Sequence, residues 1–122
     1  MGQHNDFGKR GEELAARYLI DRDYSILERN WRDDHREIDI IAEFAGEIVF
    51  VEVKTRSSEA IITARDAVDQ SKQELIIKAA EAYMREKRLW NPWRYDIITI
   101  VGYTPPYQLH HYRYAFRKKS PL

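Results

Sequence analysis

The chain has 122 residues with 20 basic and 20 acidic side chains, so its formal net charge is zero. That balance argues against a protein that coats nucleic acid through charge alone. A hydrophobic share of 43% and a charged share of 33% are typical of globular proteins and argue against wholesale disorder. The absence of cysteine excludes a disulfide framework, a cysteine-based zinc site and a thiol nucleophile.

The length predicts one domain over residues 1–122, ending in a basic, frayed tail at residues 117–122. No run of 18 apolar residues is present, and the first residues lack the apolar region of a signal peptide. We therefore expect a cytoplasmic protein without a membrane span.

A helix is predicted over residues 6–21, because apolar residues such as Leu14 and Tyr18 recur at three- and four-residue spacing. Gly8 and Gly11 are poor helix formers, which suggests that another element closely approaches this face. Glu12 lies on or beside the apolar stripe, either as a dipole-favoured first-turn acid or as a site residue. A strand is predicted next, over residues 24–31.

Two further strands, over residues 37–44 and 47–56, are joined by Ala45-Gly46, a two-residue hairpin loop. Alternation places Ile38 and Ile40 on one face of the first of these strands. The loop length pairs Phe44 with Glu47, and from there it fixes the register of the whole hairpin. The pairs predicted further along are Ile41 with Phe50, Asp39 with Glu52, and Glu37 with Lys54.

This register brings two carboxylates, Asp39 and Glu52, face to face at about 5 Å, where like charges are destabilising. A divalent cation between them is the simplest explanation. Mg²⁺ or Mn²⁺ would take oxygen ligands from Asp39, Glu52 and the backbone carbonyl of Val53, with Glu12 contributing directly or through water. Such a site with Lys54 beside it suits phosphodiester hydrolysis, in which the lysine orients water or stabilises developing charge.

Residues 55–65 form a weakly patterned connection, and a long helix is predicted over residues 64–87. Lys72 interrupts its apolar stripe and either snorkels along the surface or points its ammonium into the acidic site; Gln70 is a further supporting candidate. A central strand over residues 94–101 and an edge strand or irregular ending over residues 107–116 complete the order αβββαββ. A helix of this length permits a parallel crossover, which predicts an α/β fold with a mixed sheet of about five strands and helices on both faces.

Other kinds of site have weaker support. His110 and His111 are adjacent and point to opposite faces of a strand, so a zinc site is not expected. The three tryptophans are expected to pack in the core or at its edges. The best candidates for stacking on nucleic-acid bases are tyrosines near the basic tail, namely Tyr107, Tyr112 and Tyr114.

The acidic residue on one strand and Glu52-Val53-Lys54 on the next resemble the PD-(D/E)xK nuclease superfamily, which has the restriction-endonuclease-like fold. The chain resembles the bacterial YraN-like family more closely. The matching motifs are Gly8-x-x-Gly11-Glu12-x-x-Ala15, Asn30-x-Arg32, Glu37-Ile38-Asp39-x-Ile41-Ala42, Phe50-Val51-Glu52-Val53-Lys54-Thr55-Arg56, Lys72 and Tyr95-Asp96. The resemblance implies a three-layer nuclease-like core with Glu12, Asp39, Glu52 and Lys54 as its site.

Two segments depart from the family pattern. Arg36 stands where glycine is usual, which could place a guanidinium near phosphate, and residues 57–65 lack the usual glycine and proline. Glu37 is a possible supporting residue of the site. Basic residues outside the site that are candidates for nucleic-acid contact are Arg36, Arg56, Arg117, Lys118 and Lys119.

Three functions follow as alternatives. The first is a Mg²⁺- or Mn²⁺-dependent nuclease acting on DNA. The second is a nucleic-acid-binding module with a degenerate site. The third is a protein-interaction subunit on the same scaffold.

Overall fold

The computed structural model describes residues 3–34, 36–56, 68–102 and 104–119, with residues 3–6 as backbone only. Two helices and five strands follow one another in the predicted order αβββαββ. Their bounds are α1 Gln3–Asp21, β1 Ser25–Asp33, β2 Arg36–Phe44, β3 Glu47–Arg56, α2 Gln70–Glu86, β4 Trp93–Val101 and β5 Gln108–Phe116.

The five strands form one mixed sheet in the order β1-β2-β3-β4-β5. The β3–β4 pair is parallel and the other three pairs are antiparallel. A parallel pair requires a crossover connection, and the segment between β3 and β4 contains α2. The predicted α/β architecture, including the central position of β4 and the edge position of β5, is confirmed.

The helices cover opposite faces of the sheet, so the fold has three layers. Buried residues of α1, such as Leu19, pack with Val49 and Val51, while buried residues of α2, such as Ile76, pack with Phe50. Consecutive residues of β3 thus alternate between the two cores, and both faces of this strand are apolar up to Glu52.

The start of α2 differs from the prediction. Asp69 caps the helix, its side chain accepting a hydrogen bond from the backbone N–H of Lys72 at 2.9 Å, and Val68 before it is buried but not helical. The helix therefore begins at Gln70 rather than at residue 64. The remainder of the predicted connection and helix start, residues 57–67, lies outside the described residues, and so does the end of the tail at residues 120–122.

The hairpin loop has the predicted geometry. Ala45 has φ +52° and Gly46 φ +82°, the two positive values of a type I′ turn, and the register passes through Phe44–Glu47 and Ile41–Phe50. Regular pairing then ends at Ile40–Val51. The predicted backbone pairs of Asp39 with Glu52 and of Glu37 with Lys54 are therefore not formed.

The β1–β2 pairing is also irregular, with a register shift between Ile26 and Glu28. Pairing passes from Arg29–Ile40 to Trp31–Ile38, and Asn30, between them, has φ +53°. Asparagine tolerates this left-handed conformation better than most residues. Ile38 packs on the α2 side while Ile40 packs on the α1 side, so the prediction that they share a face is wrong.

Gly11 lets α1 approach β3 closely, as the sequence suggested, whereas Gly8 does not. A Cβ on Gly11 would collide with Cγ2 of Thr55, while a Cβ on Gly8 would have nothing within 4 Å. We expect Gly11→Ala to lower the free energy of unfolding by about 1–3 kcal/mol. We expect the matched variant Gly8→Ala to be neutral or to stabilise by up to ~1 kcal/mol, because alanine favours the helix.

Urea unfolding followed by circular dichroism measures both effects. Thr55→Ser removes the colliding methyl group and should restore most of the stability lost in Gly11→Ala. Equal stabilities for the two alanine variants would show that the approach of α1 to Thr55 is not tight.

Candidate functional site

The site lies where the β2–β3 ladder ends. Oδ2 of Asp39, freed from regular pairing, accepts a hydrogen bond from the backbone N–H of Val53 at 2.8 Å. The Asp39 carboxyl is also hydrogen-bonded to the Glu52 carboxyl. The structure thus brings together the two acids that the sequence paired, although it does so through a side-chain contact and not through strand register.

Glu52 is buried at the end of an apolar strand, with only 5% of its side chain exposed. Burial, and next the charge of Asp39, raise the pKa of the Glu52 carboxyl to about 8, while Lys72 and Lys54 oppose the shift. Burial likewise raises the pKa of Asp39, against the hydrogen bond from Val53. Two adjacent carboxyls in this environment hold a proton between them near neutral pH.

Two ammonium groups flank Glu52. Nζ of Lys54, on the same face of β3, and Nζ of Lys72, from the first turn of α2, each lie 3.7 Å from Oε2 of Glu52. Lys72 therefore points into the acidic site. Of the two orientations considered for it, snorkelling along the surface is wrong.

Glu12 approaches from α1 on the other side of Asp39. Burial, and next the charge of Asp39, raise the pKa of Glu12, while a hydrogen bond with the Asn30 side chain opposes the shift. Asn30, which has a left-handed backbone, thus holds Glu12 through its side chain. The sequence indicated no role for Asn30 beyond its place in a family motif.

The other predicted residues are less closely associated with the acidic pair. Glu37 forms an ion pair with Arg32 at 3.1 Å. Its negative charge contributes to raising the pKa of Glu12 and the pKa of Asp39. Gln70 is exposed and lines a separate cavity with Phe116 and Arg117.

The predicted nucleic-acid contacts are scattered. Arg36 is ion-paired with Asp33, and Arg56 donates to the backbone carbonyl of Thr55 at 3.2 Å. Lys118 forms an ion pair with Glu81 at 2.7 Å. Arg117 and Lys119 are exposed and line the same cavity as Gln70.

The acidic pair offers hard oxygen ligands. Mg²⁺ is commonly held by one or two carboxylates and keeps several waters, so Asp39 and Glu52 suit it when their shared proton is replaced. Within the described ranges, no group of three or more His, Cys, Asp or Glu side chains could hold a metal ion. Glu12 therefore does not join the pair as a third member of such a group.

A second polar cluster, which the sequence did not reveal, lies on the α1 side of the sheet near the start of β4. Asp96 is fully buried and accepts hydrogen bonds from Arg94 at 3.0 Å and from the backbone N–H of Tyr114 at 3.1 Å. Nε2 of His111 lies 2.7 Å from Asp96, and Nδ1 of the same ring lies 3.1 Å from the Tyr18 hydroxyl.

No helix of the part of the chain that the structure describes is long and apolar enough to cross a membrane.

Comparisons with known proteins agree with the family resemblance. The model of the family described as "Uncharacterised protein family UPF0102" matches residues 11–100. A UPF0102 protein of Phocaeicola vulgatus is 46% identical over 116 residues, which is 95% of this chain and 96% of the relative. UPF0102 proteins of Bacteroides thetaiotaomicron and Flavobacterium psychrophilum are 42% and 40% identical, again over 95% of this chain and over 96% and 98% of their own lengths. The chain therefore belongs to the UPF0102 family, the YraN family.

Proposed function

We propose that this protein is a Mg²⁺- or Mn²⁺-dependent nuclease that hydrolyses phosphodiester bonds in DNA. The observation that carries the proposal is the buried, hydrogen-bonded pair of Asp39 and Glu52 with two lysine ammonium groups 3.7 Å from it. A protein core has no need of such a pair, because burying like charges opposes folding.

Asp39, Glu52 and the backbone carbonyl of Val53 are the proposed metal ligands, and Glu12 contributes through water. The chemistry that a divalent cation supplies in such a site is polarisation of a phosphoryl oxygen and acidification of water. Val53 fixes Asp39 through its N–H, so this ligand is oriented before the metal arrives. Holding a ligand in place in advance reduces the entropy lost on binding.

Lys54 and Lys72 have the same role in the proposal. Their ammonium groups approach Oε2 of Glu52 from two different elements, β3 and α2. With a cation bound to the carboxylates, both lysines are available to phosphoryl oxygens, where they stabilise the negative charge that develops in the transition state.

Cleavage assays test this proposal. We expect the full chain to cleave single-stranded, duplex or branched DNA with Mg²⁺ or Mn²⁺ and not with EDTA, and Glu52→Gln and Asp39→Asn to abolish cleavage. Glu74→Gln, an exposed carboxylate on α2, is the matched control and should cleave as wild type does. RNA substrates in the same assay determine whether the activity is confined to DNA.

A nucleic-acid-binding module with a degenerate site is the second candidate. It is favoured by the finding that, among the described residues, no group of three or more His, Cys, Asp or Glu side chains could hold a metal ion. Binding without metal-dependent cleavage of any substrate would support this candidate and overturn the first.

A further inference from the structure

Trp90 lies almost entirely in solvent, contrary to the expectation that the tryptophans pack in the core or at its edges. Its exposed fraction is 95%, in the segment between α2 and β4. Trp93 at the start of β4 is 39% exposed, and Tyr114 on β5 is 63% exposed. The Tyr114 ring lies against the Arg94 guanidinium, and its hydroxyl donates to Glu47 at 2.9 Å. Aromatic side chains bury large apolar areas when they find a partner, so the exposed faces of these rings in one region indicate an interaction surface.

These rings belong to one continuous surface. A cavity of about 710 Å³ at the end of α2 is lined by both Trp90 and Trp93, together with Arg85 and Arg88. A neighbouring cavity of about 470 Å³ is lined by Trp93 and Tyr114. Trp93 thus joins the two cavities. We call this region the tryptophan–arginine surface and define it as Arg85, Arg88, Trp90, Trp93, Tyr114 and Arg117.

The surface carries unneutralised positive charge. Arg85, Arg88 and Arg117 have no carboxylate within ion-pair distance among the residues that the structure describes. The nearby acids pair with other cations. Glu81, which also lines the larger cavity, pairs with Lys118 at 2.7 Å, Glu47 pairs with Arg94 at 3.0 Å, and Glu86 pairs with Lys87 at 3.7 Å. An anionic partner with flat rings fits this combination of exposed aromatic faces and guanidinium groups.

We propose that the tryptophan–arginine surface binds single-stranded nucleic acid, with bases stacked on Trp90 and Trp93 and phosphates paired with the arginines. Base–aromatic stacking requires bases that are not already paired, which favours a single strand over a duplex. The flanking arginines then follow the backbone of the strand. The partner chosen here rests on the proposed function, because nucleic acid is the substrate class of that site.

The surface and the acidic pair lie at opposite ends of α2. Lys72, whose ammonium lies 3.7 Å from Glu52, is in the first turn of α2, and Arg85 is in its last turn. Thirteen residues of helix span about 20 Å, which is the length of about six stacked nucleotides. An unpaired strand held on the surface would therefore run along the outside of α2 to reach Asp39 and Glu52.

The test is fluorescence anisotropy of a labelled 20-nucleotide oligothymidylate with the full chain in EDTA, so that cleavage plays no part. We expect Trp90→Leu and Arg88→Glu each to weaken binding about 5- to 100-fold, whereas Trp90→Phe, which keeps a flat ring, retains most of the affinity. Arg17, an exposed arginine on α1, lies across the sheet. Arg17→Glu is the charge-matched control and should weaken binding less than Arg88→Glu does. A 20-base-pair duplex and an oligouridylate serve as the other ligands.

The proposal is supported if single strands bind more strongly than the duplex and the variants rank in this way. It is supported equally whether the bound strand is DNA or RNA. Equal affinities of Trp90→Leu, Trp90→Phe and wild type would overturn it, and so would a wild-type protein that binds no strand. The cleavage assay with Glu52→Gln is independent of these outcomes, so failure of the surface and failure of the nuclease proposal are distinguishable.

Discussion

We expect Asp96→Ala to lower the free energy of unfolding by about 3–5 kcal/mol, a large share of the ~5–15 kcal/mol that stabilises a typical domain. Asp96 is fully buried in β4 and accepts from Nε of Arg94, from the backbone N–H of Tyr114 and from His111. Its removal leaves a guanidinium that is 5% exposed, with Glu47, Tyr24 and the Tyr114 ring as its remaining partners among the described residues. A buried cation that loses one of its two carboxylates keeps its desolvation cost and loses part of the compensation.

Urea denaturation followed by circular dichroism measures this loss. Asp96→Asn keeps the side-chain shape and should lose less, so it remains measurable if the alanine variant does not fold. Replacing both partners, as Arg94→Met with Asp96→Leu, should cost less than Asp96→Ala alone, because no buried guanidinium is left without Asp96 and the partly exposed Glu47 keeps the Tyr114 hydroxyl. An exposed control, Glu74→Ala, should change stability by no more than about 0.5 kcal/mol. A loss below 1 kcal/mol for Asp96→Ala would contradict this account of the cluster.

The second large effect is a fall in stability of the metal-free protein as pH rises from about 4.5 to about 8. Glu52 has a usual pKa of 4.5, and burial raises the pKa of Glu52 to about 8 in the folded chain. Between these values the folded chain holds a proton that the unfolded chain has lost, so raising the pH favours unfolding. The free energy of unfolding falls by at most ~1.4 kcal/mol per pH unit, and we expect a total fall of about 2–4 kcal/mol.

Urea denaturation in EDTA at several pH values tests this slope. Glu52→Gln is neutral at every pH, so we expect a much flatter profile and, at pH 8, a higher stability than wild type. Glu74→Gln should keep the wild-type slope. If Glu52→Gln and wild type have the same slope, Glu52 is ionised in the folded protein and the acidic pair does not hold a proton.

The predictable parts of the fold are those fixed by local pattern and chain length. Ala45-Gly46 predicted the hairpin and its starting register, and the distance between β3 and β4 predicted the parallel crossover. Both follow from turn chemistry and from the geometry of strand connections, which depend on residues close together in the sequence.

The meeting of Asp39 with Glu52 was predictable from the sequence, but its geometry was not. Asp39 and Glu52 meet because Asp39 leaves the ladder and takes the N–H of Val53, whereas period-two alternation placed it within the ladder. On the neighbouring strand, Asn30 lies between the partners of Ile40 and Ile38 and has a left-handed backbone. A single asparagine in a strand pattern does not signal a positive φ by itself.

Tertiary contacts were the least predictable features. The Arg94–Asp96–His111 cluster joins β4 to β5, and Lys72 reaches Glu52 from α2. The sequence alone allows several contact partners for a charged side chain on a strand or on the apolar stripe of a helix. Only the packing of the sheet and helices selects one of them, as it does for the exposed Trp90.

The central claim is that Asp39 and Glu52 together bind a divalent cation, and titration with Mn²⁺ followed by electron paramagnetic resonance tests it most directly. Free Mn²⁺ gives a signal that falls on binding, so the number of sites and their affinity are read for wild type, Asp39→Asn, Glu52→Gln and the control Glu74→Gln. We expect one site in wild type and in the control, displaced by excess Mg²⁺, and its loss in both site variants. Undiminished Mn²⁺ binding in Asp39→Asn and Glu52→Gln, or no binding by the wild-type protein, would contradict the account.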